Sequence, residues 1–163
     1  MNGKYKEGKE DHPLHHKFKV HHVLAQSYSV AFFMFLLGVL LDLAFPVKIF
    51  HDSYMTPIGL SVLFFASIII FWAQRTSRDL RKTDEIKKES FCRGPYCYSR
   101  TPTHWGLFLL LFGFGIVANA SFIILTTIIS SIISKIVFLK REEQILVDKY
   151  GAPYLEYQKS VKF

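Results

Sequence analysis

Hydrophobic and polar positions along this chain sort into long apolar blocks separated by basic polar segments, without the amphipathic spacing of a soluble domain. Crossing a bilayer takes about 20 apolar residues in a helix, so blocks of this length point to a membrane. The first block predicts a helix over 23–45 that ends at Pro46, because proline cannot continue the hydrogen-bond ladder. A short loop over 46–56 leads to a second helix over 57–72, with Pro57 tolerated in its first turn and Trp72 suited to the interface. Residues 74–90 read as a charged extension of that helix, with Asp84 and Lys88 at i,i+4 spacing. The stretch from Trp105 to Leu139 is too long for one crossing and short for two. Ala118-Asn119-Ala120-Ser121 is its turn, giving a hairpin of helices over 105–118 and 121–139, the first of them short. Gly106, Gly113 and Gly115 would let these helices approach closely.

The tail from Lys140 is amphipathic: Leu146, Tyr150, Tyr154 and Tyr157 form one helical stripe. Gly151 stops the first helical piece and Pro153 opens a second, so the tail bends and folds back along the membrane surface. The expected fold is all-α: a polytopic membrane protein of about four transmembrane helices, with the hairpin followed by an amphipathic C-terminal helix. It forms a single membrane domain. A basic arm (1–22) precedes two spans (23–73). A cytoplasmic loop (74–104), the hairpin (105–139) and the tail (140–163) follow.

Charge fixes the expected orientation. Of 20 Lys and Arg, all but Lys48 and Lys135 lie in 1–22, 74–104 or 140–163, so these segments should share the cytoplasmic face. The net charge of +7 is thus placed for anionic lipid headgroups, and nucleic acid is not an expected partner. The first apolar block is too long for a signal-peptide core and no small-residue cleavage site follows it. Cys92 and Cys97 lack the second pair that a zinc site needs, and a cytoplasmic position would keep them as reduced thiols. His12, His15, His16, His21 and His22 read as a solvated or interfacial arm, since no Cys or paired carboxylate completes a metal site. Asp42 lies inside the first span but one turn from its end, where it can reach interfacial water.

Between the second and third helices runs Gly94-Pro95-Tyr96-Cys97-Tyr98-Ser99-Arg100-Thr101-Pro102-Thr103-His104-Trp105-Gly106. After the last apolar block comes Arg141-Glu142-Glu143-Gln144-Ile145-Leu146-Val147-Asp148-Lys149-Tyr150-Gly151-Ala152-Pro153-Tyr154-Leu155-Glu156-Tyr157. The first run resembles the Gly-Pro-Tyr-x-x-x-Arg-His-Pro-x-Tyr-x-Gly signature of the isoprenylcysteine carboxyl methyltransferase and phospholipid methyltransferase family. The second resembles that family's Glu-Glu-to-Tyr tail. The resemblance covers residues 93–157 and departs from the family at two positions, with Thr101 for the usual His and His104 for the usual Tyr.

It implies S-adenosylmethionine as donor and a lipophilic acceptor, such as a phospholipid amine or a prenylcysteine carboxylate, alongside membrane lipids. Arg100, His104 and Glu143 are the expected catalytic residues. Tyr96, Tyr98, Arg100, Pro102, His104, Gly106, Glu142, Glu143 and Tyr154 are the expected cofactor-binding ones, and no metal is expected. The residue types suit the task. Carboxylates accept hydrogen bonds from a ribose diol or an ammonium, a guanidinium forks onto a carboxylate, and aromatic faces attract a sulfonium. His104 either packs against the donor or serves as a base, as imidazoles do near neutral pH. Two other classes stand beside this reading: a sterol-type membrane reductase using NADPH, and a four-helix transporter or scaffold.

Overall fold

The computed structural model describes residues 13–50, 54–80 and 91–161, with the side chains of 13–24, Leu80 and Lys149 excepted. Residues 1–12, with His12, and the Asp84–Lys88 pair fall outside the described residues. His15, His16, His21 and His22 lie on the first helix, which begins at Pro13 and so takes in half of the arm expected over 1–22. Helix α1 runs Pro13–Ala44 and α2 Met55–Leu80. A short 3-10 turn, Gly94–Cys97, leads to α3, Pro102–Val117. Helix α4, Ser121–Ile133, passes through a π-helical turn, Ser134–Phe138, into α5, Leu139–Tyr150. Helix α6, Ala152–Ser160, ends the described chain.

Among the described residues, three stretches are long and apolar enough to cross a membrane: Ala25–Ala44, Met55–Asp79 and Ser121–Asp148. Helix α3 is shorter, as its length in sequence implied. Large apolar side chains point outward from the spans, Phe33 at 67% exposure, Phe64 at 66% and Phe71 at 68%. Such a surface would be costly in water and is the ordinary surface of a lipid-facing helix. The chain is an all-α integral membrane protein.

Helix α3 packs on α2, and α1 packs on α4. Small residues set the first contact: a Cβ added at Gly113 would stand 3.2 Å from the Gly59 carbonyl oxygen and 3.1 Å from Val62 Cγ1. In lipid, where no hydrophobic effect drives helices together, such backbone approach supplies the packing. Gly106 also packs on α2, against Ile70, while Gly115 meets Ile124 of α4.

Side chains tie the two turns at one end of the bundle. Asn119, in the left-handed region at φ 50, accepts from the Ile49 and Phe50 amides and donates to the Phe50 carbonyl. Asp42 does more than meet interfacial water. Its carboxylate accepts from the Phe122 and Ile123 amides at 3.2 and 2.9 Å. These are among the amides that a helix start leaves without intrahelical partners, so α1 caps α4.

One expectation is corrected here. Cys92 and Cys97 are joined by a disulfide instead of remaining free thiols. The 3-10 turn brings their Cα atoms to 4.4 Å, within bonding range. An argument from compartment alone does not register that proximity.

Candidate active site

The opposite end of the bundle collects both sequence motifs. Gly94 has φ 56, and a Cβ there would stand 2.7 Å from Thr76 Oγ1 and 2.9 Å from Trp72 Nε1. Only glycine meets both demands, and it seats the turn against the end of α2. Pro95 is buried, and Pro102 starts α3 at a position where no amide hydrogen is needed. Arg100 and His104 are thereby delivered at the entry to α3.

The tail arrives from the other side. The π-helical turn adds one residue to the helical repeat, which advances the face of the following helix by about 100°. Beyond it, Glu142 and Glu143 of α5 meet α3. Arg100 Nη1 lies 2.7 Å from Glu143 Oε1, with both side chains mostly buried. His104 Nε2 lies 3.2 Å from Glu142 Oε2. The second Glu143 oxygen accepts from Gln158 Nε2 of α6 at 3.1 Å.

Gly151, at φ 62, makes the bend that folds α6 back. Tyr154, Tyr157 and Val161 then close on Phe91 in a small buried cluster. The Phe91 ring stands 5.1, 5.4 and 5.6 Å from those of Tyr150, Tyr154 and Tyr157, distances typical of paired aromatics. The Tyr157 hydroxyl donates to the Tyr96 carbonyl, stitching tail to signature. Burial pushes the Tyr157 phenol up to about 12, with the Tyr96 phenol adding to the shift and Arg100 opposing it. Burial likewise holds Tyr154 well above the ordinary tyrosine range, helped by the negative charge of Glu143.

A cavity of about 470 Å³ runs from the Arg100–Glu143 pair toward the spans. Helix α3 gives it Trp105, Phe108 and Leu111, and the α4 side gives Thr127, Ser131 and Lys135. Its volume falls in the range of small-molecule sites, about 300–1,000 Å³.

Of the residues singled out in sequence, Arg100, His104, Glu142 and Glu143 come together. Tyr154 sits behind Glu143 in the tail cluster, and Tyr96 contributes its carbonyl to the Tyr157 bond. Pro102 is buried at the helix start, Gly106 is spent on packing, and Tyr98 faces outward at 82% exposure. Sequence reasoning missed Gln158, Phe91 and Tyr28, whose ring stands 5.9 Å from that of His104. Gln158 follows directly on the tyrosine stripe, which was the only available signal. Nothing in the spacing of Phe91 or Tyr28 marked them.

Apolar spans, a largely buried ion pair at one end of the bundle and a cavity of small-molecule size leading from it define an integral membrane protein with a candidate site. The family model described as Phospholipid methyltransferase matches residues 55–153, more than half of the chain, and the chain belongs to that family. It is a membrane methyltransferase. The match takes in all of α2, which the two motifs did not reach, and leaves α1 outside. No curated protein and no solved structure matches the chain.

Proposed function

We propose that the protein moves a methyl group from S-adenosylmethionine to a lipophilic acceptor at the cytoplasmic membrane face. The observation that carries this is the Arg100–Glu143 pair at the mouth of a cavity that continues into the spans. A water-soluble donor needs charged partners near the aqueous face, and a lipid acceptor needs a path from the bilayer.

The residues present fit the donor. Arg100 would hold its carboxylate, and Glu142 and Glu143 would accept from the ribose hydroxyls or the ammonium. Trp105 lines the cavity and offers a face to a cation. When bound, the donor supplies an electrophilic methyl group on a sulfonium. The chain's own task is then to orient and to exclude water. Well-oriented reactants gain about 7–11 kcal/mol, and the burial of most of the Arg100–Glu143 pair limits the water around it. His104, held by Glu142, either packs against the reactants or takes a proton from an amine acceptor.

The orientation rests on the cation asymmetry, which sums 18 side chains over three segments. Disulfides persist chiefly in oxidising compartments. The turn brings the Cys92 and Cys97 thiols within bonding range whichever face it occupies, and the orientation proposed here follows the charges. Glu10→Cys and Ser160→Cys should label from the same face of sealed vesicles. Labelling from opposite faces would overturn the topology.

Calorimetric titration of the detergent-purified protein tests the donor. S-adenosylhomocysteine should bind and NADPH should not. Binding of NADPH alone would move the protein to the reductase class.

A further inference from the structure

The chain carries two cysteines, and both stand in the turn that opens the signature. Cys92 follows Phe91 and Cys97 follows Tyr96, the two residues through which this turn grips the tail. Phe91 packs among Tyr150, Tyr154 and Tyr157, and the Tyr96 carbonyl accepts from the Tyr157 hydroxyl. The Cys92–Cys97 bond therefore closes a loop with a tail anchor at each end.

Both members of the ion pair hang from that loop. Arg100 is the third residue after Cys97. On the other side, Tyr157 is followed by Gln158, whose amide holds Glu143 Oε2 at 3.1 Å, and Glu143 meets Arg100 at 2.7 Å. The turn also has backbone bonds of its own, from the Tyr96 amide to the Arg93 carbonyl at 3.2 Å and from the Ser99 amide to the Pro95 carbonyl at 3.1 Å. Breaking the sulfur bond would thus loosen the turn without dissolving it. What goes is the fixed spacing of Phe91 and Tyr96.

Access and compartment decide whether the bond is permanent. Cys92 is exposed and Cys97 half-buried, so a dissolved thiol can reach them. The orientation proposed above puts the turn in the cytoplasm, where thiol pools keep most cysteines reduced and the disulfides that do form are chiefly transient, catalytic or redox-sensing. An exposed bond in such a place belongs to the labile kind.

We propose that Cys92 and Cys97 form a reversible thiol–disulfide switch on the site: the bonded turn docks the tail and assembles the Arg100–Glu143 pair, and the dithiol turn loosens both. This rests on the cytoplasmic orientation proposed above, and its effect on donor affinity rests on the donor reading. A low-molecular-weight thiol is the reductant. Its thiolate attacks the exposed Cys92 sulfur, the S–S bond breaks, and Cys97 leaves as a thiolate that takes up a proton. A second such thiolate attacks the small thiol's sulfur in the mixed disulfide, and Cys92 leaves and is protonated in turn. Two small thiols are thereby oxidised to one small disulfide, and the protein disulfide is reduced to two thiols. The reverse reaction, with the small disulfide as oxidant, restores the bond. The coupling is reciprocal: a ligand that binds the bonded form more tightly favours the bond by the same factor.

The test compares the detergent-purified parent with the double variant Cys92→Ser, Cys97→Ser, each in dithiothreitol and in diamide. Alkylation by N-ethylmaleimide followed by mass spectrometry counts free thiols. Titration with S-adenosylhomocysteine reads the site, and hydrogen exchange over Ala152–Ser160 reads the docking of the tail. In the folded parent, dithiothreitol should free both thiols, weaken binding about tenfold and speed tail exchange about tenfold. The double variant should behave like the reduced parent in both buffers. A bond that withstands dithiothreitol in the folded protein would overturn the proposal. So would tail exchange that is equal in the two states, measurable affinity that is equal in the two states, or a redox response kept by the double variant. Tail exchange that switches while S-adenosylhomocysteine binds neither state would support the switch and overturn the donor reading instead. The face on which the turn lies is read separately, by the vesicle labelling described above.

Discussion

Arg100 and Glu143 meet at 2.7 Å, joining the residue just before Thr101 and α3 to a helix beyond the hairpin, while Gln158 of the folded-back tail holds the other carboxylate oxygen. Three separate stretches of chain thus converge on one ion pair. Both side chains are mostly buried, so the pair is costly to break from one side only. That asymmetry shapes the first prediction.

Arg100→Ala and Glu143→Ala should each weaken S-adenosylhomocysteine binding about ten- to a hundredfold by calorimetry. Each should also lower thermal stability, because the remaining charge is left buried and unpaired. The double variant should be less destabilised than the two single losses added together, since the groups form one unit. Unchanged affinity in all three would make the pair structural only.

Tyr157 gives an alkaline signature. Its folded-state proton is held up to about 12 by burial, against the ordinary value of about 10 for the unfolded chain. Between these values the unfolded state releases the proton first, so stability falls as pH rises. Its contribution is fully present below about pH 10 and is lost on the way to about 12. Tyr157→Phe removes that titration and the bond to the Tyr96 carbonyl. At pH 8 it should cost about 1–2 kcal/mol, while the slope of stability between pH 10 and 12 becomes shallower. Tyr154, shifted in the same direction, keeps part of the slope. Denaturation in a mild detergent at several pH values checks both.

Asp42 should matter for the fold and not for the site. Asp42→Ala leaves the Phe122 and Ile123 amides without their cap and should cost about 1–2 kcal/mol. Asp42→Asn keeps an accepting oxygen and should lose about half as much. Donor affinity in the surviving folded fraction should equal that of the parent. A large change in affinity would show that the far end of the bundle is coupled to the site.

Gly113→Ile tests the α2–α3 contact. The added Cβ would press on the Gly59 carbonyl and Val62, at 3.2 and 3.1 Å, before the rest of the side chain is placed. Backbone cannot yield as a side-chain tip can, so the helices must part, at a cost of about 1–3 kcal/mol or more. Reduced thermal stability with a normal helical circular-dichroism signal is the expected outcome.

Much of the architecture was legible in the linear chain because a bilayer imposes local rules. Crossing it demands runs of apolar residues, so the spans, the short third helix and the turn at Ala118–Ala120 could all be located. Gly151 and Pro153 marked the bend in the tail for a similarly local reason, namely backbone conformation. The two motifs carried the family, and with it Arg100, His104, Glu142 and Glu143 as candidates.

Which groups meet was decided only by packing. Glu143 faces Arg100 and Glu142 faces His104 because the π-helical turn rotates α5, and no residue type announces that turn. Gln158 and Phe91 reach the site through the fold of the tail, at separations where spacing carries no signal. Asp42 is a helix cap because α4 begins beside it, and Cys92 and Cys97 are bonded because a tight turn brings them together.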